Sequence, residues 1–208
     1  MTKRTYSSTV RTIAAGQTRS AVLVAAEELF VERGYARATV SAIAERAGVA
    51  LNTVYTSVGG KPALVEALAR EGTEDEEIET ALTALRAVTD GREILRLTSE
   101  RTGEVTRRHE RVLNFLRDNA TTDPAVAAAA EHSVERYRER LALVADHLVA
   151  VRAVRPDAVR TEQILWFYFG QGAWRTVRGF GWSWEDGAAW LAAQAADALL
   201  HTPTGDGP

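Results

Sequence analysis

The chain of 208 residues has no cysteine, which removes disulfide scaffolds, thiolate metal sites and a cysteine nucleophile from consideration. Histidine is scarce as well: four residues, too scattered for a metal centre, so neither a metal nor another cofactor is expected. Long apolar runs are missing. The most apolar tract, Ile164 to Trp174, carries Gly170 and Gly172 and falls far short of the ~20 residues of a membrane span; no membrane partner is expected. The first residues are rich in Ser and Thr with Lys3, Arg4 and Arg11, and lack the apolar centre of a signal peptide. They read as a mobile basic arm, residues 1–17, on a cytoplasmic protein. Strand-like alternation is absent, whereas helical periodicity recurs throughout, so the chain reads as all-α.

Catalytic motifs fail on inspection, and no enzyme is expected. Gly60-Lys61 is not a phosphate-binding loop, because Tyr55 stands where its first glycine belongs. Gly170-Gln-Gly172 opens a dinucleotide-like pattern but meets Arg175 in place of the third glycine, and it follows a helix instead of a strand. His109-Glu110 lacks the second histidine of a metalloprotease motif.

Charge is unevenly distributed. Residues 1–61 hold eight Lys/Arg and four Asp/Glu, a net +4, and the remainder holds 17 and 24, a net −7. A basic head on an acidic body suits a phosphate-binding module joined to a part that should avoid nucleic acid.

The basic head contains the most informative stretch. Val40, Ile43, Ala44 and Ala47 recur at i, i+3, i+4 and i+7, one apolar helix face, with Thr39 placed to cap it. Gly48 stands where a tight turn needs a left-handed residue. Leu51 to Tyr55 is too short for a core helix but long enough for one that enters a DNA groove. Upstream, Val22, Ala25, Ala26, Leu29 and Phe30 form the stripe of a helix that closes at Gly34-Tyr35.

This order of residues resembles the DNA-binding domain of the tetracycline-repressor (TetR) family. The resemblance covers residues 18–64 and rests on Phe30, Gly34-Tyr35, Thr39, Ile43-Ala44, Ala47-Gly48-Val49, Thr53-Val54-Tyr55, Val58 and Lys61-Pro62-Ala63-Leu64. Val58 departs from the usual phenylalanine, Gly59-Gly60 from a polar cap, and Ala50 from a serine cap. The resemblance implies about nine helices. An N-terminal three-helix helix-turn-helix domain at 18–64 would be followed by a helical ligand-binding and dimerisation domain at 65–201, with a disordered tail at 202–208. It implies a transcriptional regulator, a repressor that binds a palindromic double-stranded DNA operator as a homodimer and is released by a small-molecule effector. The alternative is a degenerate relative whose larger domain is structural or catalytic and which reads no DNA.

The resemblance places Thr39, Thr53, Tyr55 and Lys61 as phosphate clamps. A lysine at a helix start opposes the macrodipole, which a docked phosphate would offset. Leu51 suits a thymine methyl and Asn52 the edge of adenine, although Asn52 is equally suited to cap the short helix. Arg37 and Arg46 are backbone-contact candidates.

Further on, Pro62 to about Leu85 reads as one long helix, and Glu93 to Asn119 as one or two. Thr122-Asp123-Pro124 opens a helix running to about Val151, and Arg155-Pro156-Asp157 punctuates. Two last helices are expected near 158–180 and 183–200. Phe169, Gly172, Ala173 and Thr176 share a face of the first. Trp184, Ala188, Leu191, Ala195 and Ala198 form a small-and-large stripe on the second. Both are candidates for the dimer interface implied by the resemblance, and intrachain core is the competing reading. Glycine inside a helix costs about 1 kcal/mol against alanine, so Gly170 and Gly172 call for a close approach. Ligand-site candidates are His109, Phe115, Asn119, His132, Tyr137, Trp166, Phe167 and Trp174, an aromatic set that would suit a flat, largely apolar effector.

Overall fold

The computed structural model describes residues 3–71 and 76–201, with side-chain surroundings for residues 12–71 and 77–201. The chain packs as two compact units. The first comprises the chain up to Glu71 together with Glu110–Ser133, and the second the remainder. Among the described residues the secondary structure is all helix, apart from one isolated bridge between Val154 and Leu200.

Unit 1 contains α1 (Lys3–Arg33), α2 (Val40–Arg46), α3 (Leu51–Ser57), α4 (Lys61–Glu71) and α7 (Glu110–Asn119), plus the first turns of α8 (Pro124–Ala150). Residues 3–17, expected as an arm, continue α1. Residues 12–17 lie on the surface, and Thr18 Oγ1 donates back to the Ala14 carbonyl. Val22, Leu29 and Phe30 of α1 meet Ile43, Val54, Leu64 and Leu68 in one core. Phe115 of α7 closes that core, its ring stacked on Phe30 at 5.3 Å, with Leu116 and Val126 beside it. The helix-turn-helix therefore has a larger foundation than residues 18–64, because the stripe on α1 needs cover that three short helices do not supply.

Unit 2 contains α5 (Glu76–Leu85), α6 (Gly91–Arg108), the rest of α8, α9 (Ala158–Phe169), α10 (Gln171–Gly179) and α11 (Trp184–Leu199). Local chemistry sets the starts. Asp90 accepts from the Arg92 and Glu93 amides, Asp157 from Arg160, and Ser183 from Asp186; in unit 1, Asp123 does the same for α8. Among the described residues there are eleven helices, against the nine or so expected. The stretch 62–85 comprises α4 and α5, with 72–75 outside the described residues, and α6 ends at His109. The helix expected near 158–180 breaks at Gly170, whose extended backbone (φ −70, ψ 163) both ends α9 and caps α10.

Gly170 is thus a break, where a Cβ would run into the Trp166 carbonyl oxygen and lie 3.0 Å from the Trp166 ring, whereas a Cβ on Gly172 would meet nothing within 4 Å. A close approach between helices occurs elsewhere. Trp174 is fully buried between α6 and α11, and a Cβ on Gly103 would lie 2.6 Å from its ring. A Cβ on Gly187 of α11 would lie 3.4 Å from the same ring. Ser99 Oγ donates to the Ala188 carbonyl at 2.8 Å, pinning α6 to α11. Arg138 and Glu162 join α8 to α9 by two parallel hydrogen bonds of 2.8 and 2.9 Å.

Candidate functional site

The helix-turn-helix is built from its caps. Thr39 has extended backbone, and its Oγ1 accepts the Ala42 amide at 3.1 Å, so its hydroxyl proton is still available to an outside acceptor. Gly48 adopts φ +67, and the amides of Gly48 and Val49 return to Glu45 and Ala44 carbonyls, closing α2. Ala50 then begins α3 without a side-chain cap. Val54 is fully buried and roots α3 in the core, whereas Leu51 (46% exposed), Asn52 and Tyr55 (52% exposed) face outward. Asn52 sits inside the first turn, so the capping role falls away. Among the described residues neither its amide nor the Tyr55 hydroxyl is engaged. Thr53 is half-buried, and Thr56 joins the outward face. The sequence reading missed Thr56, although its position one residue after Tyr55 is the available signal.

The cations are more committed than expected. Arg46 is not free to meet a phosphate backbone: Nη1 bonds Glu28 and Glu32, and Nη2 bonds Glu32, each at 3.0 Å. These two carboxylates lie one turn apart on α1, and the pairing locks α2 to it. The Arg46 hydrogen bond also holds the Glu32 carboxyl below its usual range. Lys61 Nζ donates to the Ala36 carbonyl at 3.2 Å and lies 4.2 Å from the centre of the Tyr35 ring, and burial lowers its pKa. This lodging inside the protein answers the unfavourable helix-start position, and two ammonium protons remain for a phosphate. Arg37 is exposed, with Nε spent on the Arg33 carbonyl at the end of α1. Arg19, missed by the sequence reading, reaches from α1 to the Ser57 carbonyl at 2.9 Å and caps the far end of α3. No local pattern could have disclosed that contact across 38 residues.

In unit 2 a cavity of about 430 Å³ opens among α5, α6 and α8, within the range of ligand pockets. Its wall is aliphatic, formed by Ile78, Leu82, Leu85, Val88, Leu97, Leu141 and Val144, with Arg101, Glu104 and Arg140 among its charged residues. Of the eight expected ligand residues only Tyr137 lines it. The Tyr137 hydroxyl donates to the Phe169 carbonyl at 2.7 Å, at the α9–α10 break, and burial raises its pKa. Trp166 packs edge-on against Tyr137 at 5.7 Å but lies outside the lining. Trp174 is core, its indole N–H donating to Thr102, and Phe167 is 72% exposed. Phe115, Asn119 and His132 belong to unit 1, where Asn119 bonds the Phe115 carbonyl and His132 lies 3.4 Å from Glu66. His109 ends α6. Aromatic content drew the expectation, and aromatic rings here mostly fill cores.

The dimer-face candidates also divide. Gly172, Thr176 and Ala198 are exposed, and Ala173 and Trp184 half-buried. Phe169, Ala188, Leu191 and Ala195 are buried inside unit 2, because α11 turns its small-residue stripe toward α6. Val159 and Phe167 of α9, Phe180 just past α10 and Trp190 of α11 are exposed large apolar side chains. Among the described residues no group of acidic, histidine or cysteine side chains could hold a metal, and no helix is long and apolar enough to cross a membrane.

Residues 22–68 match the family model described as bacterial regulatory proteins, tetR family. The chain is 32% identical over 118 residues to the HTH-type transcriptional activator FasR of Mycolicibacterium smegmatis (strain ATCC 700084 / mc(2)155). That alignment covers 56% of this chain and 53% of FasR, so the chain matches about half the length of that relative. Among solved structures, NalD, the secondary repressor of the MexAB-OprM multidrug efflux pump in Pseudomonas aeruginosa, superposes with a TM-score of 0.68 at 21% identity, covering 90% of this chain and 98% of NalD. A SmeT–triclosan complex gives 0.68 at 16% identity over 89% and 93% of the two chains. The fatty acid degradation regulator FadR from Bacillus halodurans gives 0.70 at 16% identity over 86% and 98%. At these identities the three structures speak to the fold.

Proposed function

We propose that the chain, whose residues 22–68 match the model of the tetR family of bacterial regulatory proteins, is a ligand-responsive transcriptional repressor of that family that binds a palindromic operator as a homodimer. The observation that carries this reading is the sidedness of α3. Val54 is buried, whereas Leu51, Asn52 and Tyr55 present an apolar contact, an amide and a hydroxyl outward. Those groups suit a thymine methyl, an adenine edge and a phosphate in turn. The Thr39 hydroxyl and Lys61 add phosphate contacts from the flanking helices.

A seven-residue helix offers too few base contacts for specificity alone, whereas two copies read half-sites about 34–36 Å apart. Exposed Val159, Phe167, Phe180 and Trp190, with Gly172, Ala173 and Thr176, supply the partner-facing surface. The cavity supplies the control. The chain passes between the two units three times, after α4, between α6 and α7, and within α8. On the unit 2 side the helices concerned are α5, α6 and α8, the three that line the cavity. An effector that binds the DNA-incompetent state more tightly lowers operator occupancy in proportion to that difference. Activation is the second reading, favoured by the description of FasR as an activator.

The test is a reporter driven by the chain's operator, with sedimentation of the purified protein. Repression that is lost in Leu51→Ala/Tyr55→Ala, with a dimer at micromolar concentration, is expected. A monomer, or a reporter indifferent to both substitutions, refutes the proposal.

A further inference from the structure

We propose that the unit 2 cavity takes an uncharged, mainly aliphatic molecule. This deepens the regulatory reading above and rests on it for what binding accomplishes. The wall decides the body of the ligand: Leu82, Leu85, Val88, Leu141 and Val144 supply aliphatic surface, and Tyr137 is the one aromatic residue of the lining. A flexible or alicyclic hydrocarbon body matches such a wall better than a flat aromatic one.

The polar groups decide its charge. Each hydroxyl of the lining has a single proton, and each spends it on a main-chain carbonyl. Thr98 donates to Ile94 at 2.7 Å, Thr102 to Ser99 at 3.0 Å and Tyr137 to Phe169 at 2.7 Å. The charged groups are matched within the protein too. Glu100 accepts from Arg96 at 2.6 Å, Arg101 donates to Glu104 and Glu77 at 2.8 and 3.1 Å, and Arg140 donates to Glu79 at 3.3 Å. The Nε atoms of Arg101 and Arg140 are without partners but fully buried, so a ligand reaches them only by displacing protein atoms. A carboxylate or phosphate entering here must compete with Glu77, Glu79 and Glu104 for Arg101 and Arg140, and a cation meets carboxylates already taken; burying either charge is unfavourable. A ligand hydroxyl is accommodated, since the lining hydroxyl oxygens retain lone pairs.

The experiment compares three probes with one tail: decan-1-ol, decanoate and decylammonium, each displacing N-phenyl-1-naphthylamine from the full-length protein near neutral pH without DNA. Decan-1-ol is expected to bind at least tenfold more tightly than either ion. Leu141→Trp and Leu97→Trp fill the cavity from two walls, and each should weaken the alcohol at least tenfold while helical circular dichroism is retained. Decanoate or decylammonium binding as tightly as the alcohol overturns the proposal. So does an absence of alcohol binding, or alcohol binding that both tryptophan variants leave unchanged. Operator titration of the same preparation separates the two readings. Cavity binding without operator binding refutes the regulator and leaves the ligand class standing, and operator binding without alcohol binding does the reverse.

Discussion

Replacing Gly103 with alanine tests the packing of unit 2 against a rule that predicts the opposite sign. Gly103 lies inside α6, where alanine is favoured over glycine by about 1 kcal/mol. The new Cβ would lie 2.6, 2.9 and 3.1 Å from Cη2, Cζ2 and Cζ3 of Trp174. A flexible side chain could retreat, but this indole is rigid and fully buried, and a Cβ on Gly187 would also lie only 3.4 Å from its ring. Overpacking of this kind costs about 1–3 kcal/mol. Offsetting the propensity gain leaves a net destabilisation of up to about 2 kcal/mol, or up to about 4–8 °C in Tm for a chain of this size. Gly16→Ala inside α1 is the matched control: its Cβ enters open space, so propensity alone operates and Tm holds or rises by a few degrees. Both would be read by thermal denaturation at one protein concentration, since association shifts Tm by mass action. A Gly103→Ala variant more stable than the parent, as propensity alone would make it, refutes the wedged indole and the α6–α11 approach with it.

Other substitutions probe the DNA-facing module. Lys61→Ala should weaken binding to all sequences and reduce the salt slope by about one, and removing its contact with Tyr35 should cost a further ~0.5–1 kcal/mol of stability; a slope equal to wild type in salt titrations would confine Lys61 to the structural role. Asn52→Ala should relax preference at one base pair, worth about 1–3 kcal/mol of discrimination, and an unchanged selected motif would remove it from the readout. Arg46→Ala should destabilise unit 1 in a pH-dependent way. Arg46 holds the folded Glu32 carboxyl below its ordinary value, so the contribution is complete above the usual carboxylate range and disappears as pH falls through the lowered one. Denaturation curves at neutral and acid pH should converge for variant and parent, and a gap that widens in acid refutes the latch. Tyr137→Phe leaves the Phe169 carbonyl without its donor at the α9–α10 break and should cost about 1–3 kcal/mol, measured by urea denaturation.

What the sequence disclosed followed the range of the interaction. The Thr39 cap, the Gly48 turn and the buried Val54 depend on neighbours within one turn, and each lay open in the pattern of residues 39–55. Contacts between distant elements did not. Arg46 reads as a surface cation until α1 brings Glu28 and Glu32 beneath it, and Arg19 gives no sign of reaching Ser57. Periodicity showed that α11 carries a stripe of small residues, but not whether α6 or a partner covers it. Ala188 against Ser99 of α6, and Gly187 against Trp174 and Val177 of α10, decide that question. Aromatic residues pointed away from the cavity because large rings serve two units' cores equally well. The aliphatic wall around Leu141 was hidden for the same reason, since a leucine facing a cavity has the same helical spacing as one facing a core.

The central claim is that α3 reads a DNA sequence and that two copies read it together. Its most direct test is selection of binding sites from fragments of the source genome at near-physiological salt, followed by titration of the best site. The account predicts recovery of a palindrome bound at nanomolar affinity, with half-sites about one helical turn apart. Weak binding to every fragment, falling steeply with salt and without a recovered motif, would show a basic head that holds DNA without reading it, and would contradict the account.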